Sequence, residues 1–202
     1  SFSFKPGAGA DGKGAWIIEA DHREGLYGAW VGVFPVQGGK AYRFSSLYRA
    51  SSVKEDRQAV VARVLWRDAN DKLVKHAEPS YASYRPGENP QSEPEYPRRK
   101  GARDGWTEMS DTYLAPPNAA KAIVELYLQW QPDARVEWSN VSLDEVPNMP
   151  SRKVRLATVH FQPKDGTAPM DKARLFEPLV AKAAEQKADL IVMGARGLGP
   201  VK

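Results

Sequence analysis

Short runs of alternating apolar and polar residues fill the first three quarters of this 202-residue chain. Such alternation puts successive side chains on opposite faces of a β-strand. In residues 40–50, for example, Tyr42, Phe44 and Tyr48 fall on one face. Turn-forming Gly, Pro, Asn and Asp separate the runs. At least six strands, with no convincing helix before Pro147, predict a mainly β fold with an antiparallel sandwich.

Two pairs of neighbouring runs have the pattern of β-hairpins. Residues 58–67 form a long predicted strand, which the turn cluster 68–71 joins to a second strand at 72–76. Residues 121–130 and 135–146 are separated by only four residues, and we expect them to pair in the same way. Trp66 and Trp138, beside turns or strand ends, are expected in the core.

The run 121–130 has two different faces. Its apolar face is predicted to lie in the core and consists of Ala122, Val124, Leu126, Leu128 and Trp130. The opposite face mixes polar and aromatic groups in Ile123, Glu125, Tyr127 and Gln129. This mixture is suited to a sugar platform, but an ordinary solvated sheet face has the same pattern. Both interpretations stay open from sequence alone.

Four segments carry a resemblance to a known class of domain. They are GGKAYRFSSLYRAS, VLWRDANDKLV, GWTEMSDTYLAPPNAAKAIVELYL and VEWSNVSLDEV. In this order they resemble the jelly-roll carbohydrate-binding modules found beside glycoside hydrolases and other secreted bacterial enzymes. The resemblance implies a carbohydrate partner, aromatic rings lying against pyranose faces, and export from the cytoplasm. The six Trp and eight Tyr supply such rings, although aromatic residues also fill sandwich cores.

The longest irregular stretch, residues 78–103, is a second source of ligand-binding groups. Loops of this length are usually functional or disordered, and this one places tyrosines among prolines. The alternative is an insertion that only covers a sheet edge. The predicted ligand-binding residues are therefore Glu125, Tyr127 and Gln129 on the sheet face, with Tyr84, Tyr96 and Trp106 from the insertion and its end. Because the sheet face is treated as outside the core, Tyr127→Ala is expected to abolish glycan binding with little loss of stability.

The last fifty residues follow a different pattern. An alternating run at 153–161, a helical periodicity at 170–187 and an apolar run at 188–194 predict one strand–helix–strand crossover unit. The predicted domains are a sandwich at 1–147, a linker at 148–152 and a C-terminal βαβ fragment at 153–202. One such unit cannot bury both faces of its sheet. We therefore expect the unit to belong to a larger parent domain. In this chain we expect docking of residues 153–194 on the sandwich, homo-oligomerisation through the fragment, or local disorder.

The segments VRLATVHFQP and RLFEPLVAKAAEQKADLIVMG resemble the opening of the carbon–nitrogen hydrolase superfamily of nitrilases and amidases. The resemblance implies a glutamate base after the second strand, where this chain has Ala195. It also implies a cysteine nucleophile, and the chain contains no cysteine. The expected role is a non-catalytic carbohydrate-binding or accessory module of a truncated hydrolase, with no catalytic residue of its own. The alternative is a sandwich that only packs against or oligomerises the hydrolase domain.

The segment ADLIVMGARGLG also resembles the nucleotide-binding segment of universal stress proteins, with Gly194 and Gly197 at the phosphate-binding turn. The alternative to nucleotide binding at these glycines is a flexible truncated tail. The start of the unit, with the His and Gln at its strand end and Pro178 in its helix, favours the hydrolase over the stress protein. Because the chain starts at Ser1 with strand-like residues and no Met, we expect that an upstream segment was removed or left out.

Composition argues against several other functions. A net charge of +4 without a concentrated basic stripe disfavours nucleic acid. No apolar run approaches the roughly 20 residues of a membrane span. The three histidines have no metal-ligand spacing, so no metal site is predicted. Asp21 and His22, or Asp68 and Asp71, could still supply oxygen ligands to a structural calcium ion, although such turns form without ions.

Overall fold

The computed structural model describes residues 1–76, 92–147, 149, 156–159, 174, 176–188 and 190–193. The chain divides into two compact units, Ser1–Pro150 and Ser151–Lys202. The first unit is built from two antiparallel sheets, and the second contains a short parallel pair of strands. The predicted fold class, a mainly β antiparallel sandwich followed by a strand–helix–strand unit, is confirmed.

The larger sheet of the first unit has six strands. They are β1 (Phe2–Pro6), β2 (Gly14–Glu19), β4 (Ala41–Ser51), β6 (Arg99–Arg103), β7 (Trp106–Leu114) and β9 (Arg135–Val146). Their order across the sheet is β1-β2-β9-β4-β7-β6. The smaller sheet contains β3 (Tyr27–Pro35), β5 (Val60–Arg67) and β8 (Lys121–Gln129), in the order β3-β8-β5. β9 and β8 are thus interior strands of the two sheets.

The core lies between the two sheets and follows the alternation of the strands. Phe44 and Trp138 from the larger sheet and Val64, Trp66 and Val124 from the smaller one are almost completely buried. The predicted core positions of Trp66 and Trp138 are confirmed. Burying an apolar side chain of this size contributes about 1.5–3 kcal/mol, so these interdigitated residues hold the sheets together.

The prediction that β8 and β9 form a hairpin is wrong. β8 pairs with β3 and β5, whereas β9 pairs with β2 and β4. The reason lies at Trp130, which adopts a left-handed conformation with φ of 57° and donates its backbone N–H to the Leu26 carbonyl. This turns the chain from one sheet to the other. Trp130 is 56% exposed and does not continue the core face of β8.

Two further predictions about local structure need correction. The run 58–67 begins with a short helix, α1 (Asp56–Ala59), because the Glu55 carbonyl accepts the N–H groups of Gln58 and Ala59. Strand β5 therefore starts at Val60, and a helix does precede Pro147. Residues 72–76 form no regular strand, but they pair with the end of β5 as a short hairpin. Arg67 and Leu73 form an antiparallel bridge, Val74 donates its backbone N–H to the Trp66 carbonyl, and Asp68 donates its backbone N–H to the Lys72 carbonyl.

In the second unit, β10 (Leu156–Val159) and β11 (Leu190–Met193) are parallel, and helix α2 (Glu177–Glu185) lies between them in the chain. This agrees with the predicted strand–helix–strand order. Gly194, Ala195 and Gly197 lie outside the described residues. None of the helices in the described part of the chain has the length and apolar character needed to cross a membrane.

Candidate functional site

The outer face of the six-stranded sheet carries a groove. Strand alternation turns Leu47 and Glu108 away from the core, and the two residues lie opposite each other in the β4–β7 register. With Trp106 they line a cavity of about 380 Å³. The other lining residues are Ala10, Gly101, Ala102, Arg103 and Asp104. We call this cavity the Trp106 groove; its volume lies within the range of small-molecule sites.

The β6–β7 turn supplies one side of the Trp106 groove. Asp104 and Gly105 both have positive φ, 53° and 77°, which reverses the chain within two residues. This tight turn places Arg103 and Asp104 among the lining residues, and their side chains form an exposed ion pair at 3.2 Å. Ala10 comes from the loop between β1 and β2, so two separate loops contribute to the groove.

Trp106 itself is largely covered, at 8% exposed. The guanidinium of Arg49 lies over its ring, 4.8 Å from the ring centre. Arg49 also donates to the Glu137 carboxylate at 2.5 Å, and Arg135 donates to the same carboxylate at 2.9 Å. Trp106 is therefore held in place by its neighbours, and only part of the indole is available to the groove.

The pKa of Glu137 is lowered from its ordinary value. Burial is the largest influence and acts to raise it, but the hydrogen bonds from Arg49 and Arg135, with their positive charges, outweigh burial. The carboxylate therefore stays ionised and keeps Arg49 in position over Trp106.

The outer face of the three-stranded sheet carries the other predicted residues. Arg63 of β5 forms an ion pair with Glu125 and donates to the Tyr127 hydroxyl at 2.6 Å. Tyr127 donates in turn to Glu125 at 2.9 Å, and the Tyr27 ring lies 4.7 Å from the Tyr127 ring. We call these four residues the Tyr127 cluster. Their polar groups are bonded mainly to one another.

The structure corrects the expectation that this face is open at Tyr127. Tyr127 is 5% exposed because Tyr27 and Arg63 pack over it. Burial, and then hydrogen bonds with Tyr27 and Glu125, raise its pKa. Tyr27, in contrast, is 55% exposed and presents its ring to solvent. The aromatic surface on this face is thus Tyr27 rather than Tyr127.

The predicted ligand-binding residues do not form one site. Trp106 and Glu125 lie on the outer faces of different sheets, and these faces point away from each other in a sandwich. Gln129 donates its side-chain amide to the Gln58 carbonyl at 2.7 Å, at the α1 end of the smaller sheet. Tyr96 is exposed and follows Glu95, which bridges to Val64 of β5. Tyr84 lies outside the described residues.

Sequence reasoning missed three residues that shape these surfaces, namely Tyr27, Arg49 and Arg63. The sequence does mark Arg63 as unusual, because it is the single charged residue within the apolar run QAVVARVLW. A charged side chain at such a position needs a partner on a neighbouring strand. Tyr27 and Arg49 had no comparable signal, since each acts through a residue that is distant in sequence.

The turns considered for calcium have their carboxylates engaged within the protein. Asp21 accepts hydrogen bonds from Arg23, and Asp68 accepts the backbone N–H groups of Asn70 and Lys72. Over the described ranges, no group of three or more His, Cys, Asp or Glu is arranged to hold a metal ion. Calcium binding stays a prediction.

The first unit is a β-sandwich with a groove on one outer face, and the chain is similar to several solved structures. The enzymatically active domain of tailspike protein 4 from bacteriophage CBA120 matches with a TM-score of 0.51 and 8% identity, over 72% of this chain and 18% of that one. Family 16 Carbohydrate Binding Module-2 matches with a TM-score of 0.45 and 13% identity, over 70% and 84%. A putative sugar binding protein from Bacteroides thetaiotaomicron matches with a TM-score of 0.43 and 11% identity, over 72% and 82%.

The tailspike domain shows a likeness of fold alone, and the two sugar-related proteins are too distant to carry an argument. This chain also spans less than a fifth of the tailspike chain. No family model matches the sequence, and no curated protein matches it. The class established is therefore a jelly-roll β-sandwich, a fold that hosts many unrelated functions.

Proposed function

We propose that the first unit is a non-catalytic carbohydrate-binding module and that the Trp106 groove holds the glycan. The observation that carries the proposal is a groove of about 380 Å³ that combines an indole and a leucine side chain with polar groups. A sugar presents apolar C–H faces and a rim of hydroxyls. The side chains of Leu47 and Trp106 can pack against the C–H faces, and the carboxylates of Asp104 and Glu108 can accept hydrogen bonds from the hydroxyls.

The charges around the groove favour an uncharged glycan. Arg43 lies 3.6 Å from Glu108, and Arg103 lies 3.2 Å from Asp104, so each of these cations already has an acidic partner. Paired side chains can still donate to and accept from hydroxyls. An anionic sugar would compete with the carboxylates of Glu108 and Asp104 for the same arginines. A neutral glycan is therefore the better ligand.

The Tyr127 cluster is the second candidate location for a glycan. The supporting observation is the exposed Tyr27 ring beside Arg63 and Glu125, which places an aromatic face next to charged hydrogen-bonding groups. The polar groups of Arg63, Glu125 and Tyr127 are already bonded to each other. Concave sites bury most of a ligand's surface, so the groove is preferred.

The experiment that tests the proposal is affinity electrophoresis of the full chain through gels containing neutral polysaccharides. We expect retention on at least one neutral glycan, lost in Leu47→Arg combined with Asp104→Ala and kept in Tyr27→Ala. If retention is kept in the Leu47/Asp104 double variant and lost in Tyr27→Ala, the glycan site is at the Tyr127 cluster instead. If the wild-type chain is retained by no polysaccharide, the carbohydrate proposal fails and the packing or oligomerising role takes its place.

We infer from the sequence resemblance that the second unit opens a carbon–nitrogen hydrolase domain, to which the sandwich is an accessory. The parallel pairing of β10 and β11 suits that interpretation, although other αβ families begin in the same way. Nucleotide binding through Gly194 and Gly197 remains the rival for this unit. Because the chain has no cysteine, we expect no turnover of small amides or nitriles, and turnover that survives repurification would contradict the argument.

A further inference from the structure

A second concave region lies beside the start of β2. The β2–β9 register covers Arg135 to Trp138, and beyond it the Ser139 hydroxyl donates to the carbonyl of Gly14, the first residue of β2. Asn140 adopts a left-handed conformation with φ of 51° at the irregularity of the β4–β9 register. A cavity of about 570 Å³ opens there, lined by polar residues that include Asp11, Lys13, Ser45, Asn140 and Ser142. We call it the edge notch.

A smaller apolar cavity adjoins the edge notch. It has a volume of about 270 Å³ and is lined by Trp16, Trp30, Phe34, Val124, Leu126 and Val141, together with Val31 and Gly32. Every lining side chain among the described residues is apolar, and Trp16 and Val141 line both cavities. The indole N–H of Trp30 is already donated to the Ile17 carbonyl. An apolar cavity of about 150 Å³ stays dry and holds benzene, so this one has room for a ring or a short alkyl chain.

The polar groups of the edge notch balance one another. Lys13 lies 3.4 Å from Asp11, and the Asn140 amide can donate to Asp11 at 3.2 Å. Hydroxyls of Ser45 and Ser142 add neutral donors and acceptors. The notch thus offers hydrogen bonds without a net charge, immediately beside a wall of Trp16 and Val141.

We propose that the edge notch and the apolar cavity form one binding site for a small uncharged amphipathic molecule. Its ring or alkyl chain occupies the apolar cavity, and its hydroxyl or amide group is bonded in the notch. No described residue lines both the notch and the Trp106 groove, although the two cavities are adjacent, since the backbone N–H of Ala10 in the groove donates to the Ser139 hydroxyl in the notch. The proposal therefore does not depend on carbohydrate binding.

The test is a titration of the full, ¹⁵N-labelled chain with 1-butanol, 1-pentanol, 1-hexanol and 2-phenylethanol, followed through the indole N–H resonances. We expect saturable shifts of Trp16 and Trp30, with Kd tightening about fourfold for each added methylene. Glycerol, which has only the polar group, should give no saturable shift. Linear shifts without saturation, or shifts spread evenly over the protein, would overturn the proposal.

Matched variants locate the site. Val141→Phe places a ring in the cavity and should weaken hexanol binding at least tenfold, whereas Val33→Phe, on the exposed face of β3, should bind as the wild type does. If Val141→Phe does not fold, Gly32→Ala replaces it, because a Cβ at Gly32 would lie 3.1 Å from the Phe34 ring. Unchanged binding in a folded cavity-filling variant would refute the assignment.

Discussion

The guanidinium of Arg49 stacks over the indole of Trp106 while donating a hydrogen bond to Glu137. One side chain thus connects strands β4, β7 and β9 across the outer face of the larger sheet. A cation over an aromatic ring contributes about 0.5–1 kcal/mol when exposed and about 2 kcal/mol when desolvated. The contact between Arg49 and Trp106 therefore holds the indole in the groove wall and contributes measurably to the free energy of unfolding.

Replacing Arg49 by Met should therefore lower the free energy of unfolding by about 1–3 kcal/mol, through loss of the ring contact and of one partner of Glu137. Urea denaturation measures the change. The matched control is Arg43→Met on the same face of β4, whose ion pair with Glu108 is long and exposed. That variant should stay within about 0.5 kcal/mol of the wild type, and equal losses would contradict the role assigned to Arg49.

The lowered pKa of Glu137 predicts a pH dependence. Since the folded-state pKa lies below the unfolded value, ionised Glu137 stabilises the fold fully above the ordinary value of 4.5. This contribution is lost as the pH falls from there through the lower folded-state pKa. Glu137→Gln should therefore lose less stability than the wild type over that acid range, measured by urea unfolding at several pH values. Val136→Ala, a neutral change in the same strand, should keep the wild-type slope, and a wild-type slope in Glu137→Gln would disprove the assignment.

Tyr127 and Tyr27 should respond differently to truncation although their rings are in contact. Tyr127→Ala removes a buried ring and should cost about 3–5 kcal/mol of folding stability. Tyr27→Ala removes a ring that is more than half exposed and should cost about 1 kcal/mol. Thermal and urea unfolding compare the two. A near-neutral Tyr127→Ala would show that the sheet face is as open as the sequence pattern indicated.

Gly38 and Gly101 provide a matched pair of glycine substitutions. A Cβ at Gly38 would collide with the backbone carbonyl of Pro117, whereas one at Gly101 meets nothing within 4 Å. Gly38→Ala should destabilise by about 2 kcal/mol or more, since backbone atoms must move. Gly101→Ala should be neutral or slightly stabilising, because it restricts the unfolded chain. Similar unfolding midpoints for the two variants would refute the close approach at Gly38.

The parts of the fold that alternation determines were predictable from the sequence. Tyr42, Phe44 and Tyr48 are buried together because a strand repeats every two residues, which is a local property. The assignment of a strand to one sheet or the other, in contrast, depends on residues that are distant in the sequence. Nothing in residues 121–146 signals that Trp130 turns the chain from one sheet to the other, since the left-handed conformation falls on a residue with no special preference for it.

The candidate site was less predictable for the same reason. The alternation placed Tyr127 correctly on the outer face of β8, but Tyr27 and Arg63, which cover it, come from two other strands. The sequence suggests Trp106 as a ligand-binding aromatic residue but does not indicate that Arg49 stacks on it. Whether an outward ring is open or covered depends on neighbouring strands, and these are fixed only by the complete topology.

The chain runs directly from β8 in the smaller sheet into β9 in the larger one. This order determines which strand pairs a partly synthesised chain can form. β3 and β5 have no contact in the smaller sheet except through β8, and β9 joins the β1–β2 pair to β4. A nascent chain that ends before Lys121 can form the β1–β2 and β4–β7 pairs but neither complete sheet. Its apolar strand faces stay uncovered until the last strands of the sandwich are synthesised, and exposed apolar surface of this kind favours aggregation of incomplete chains.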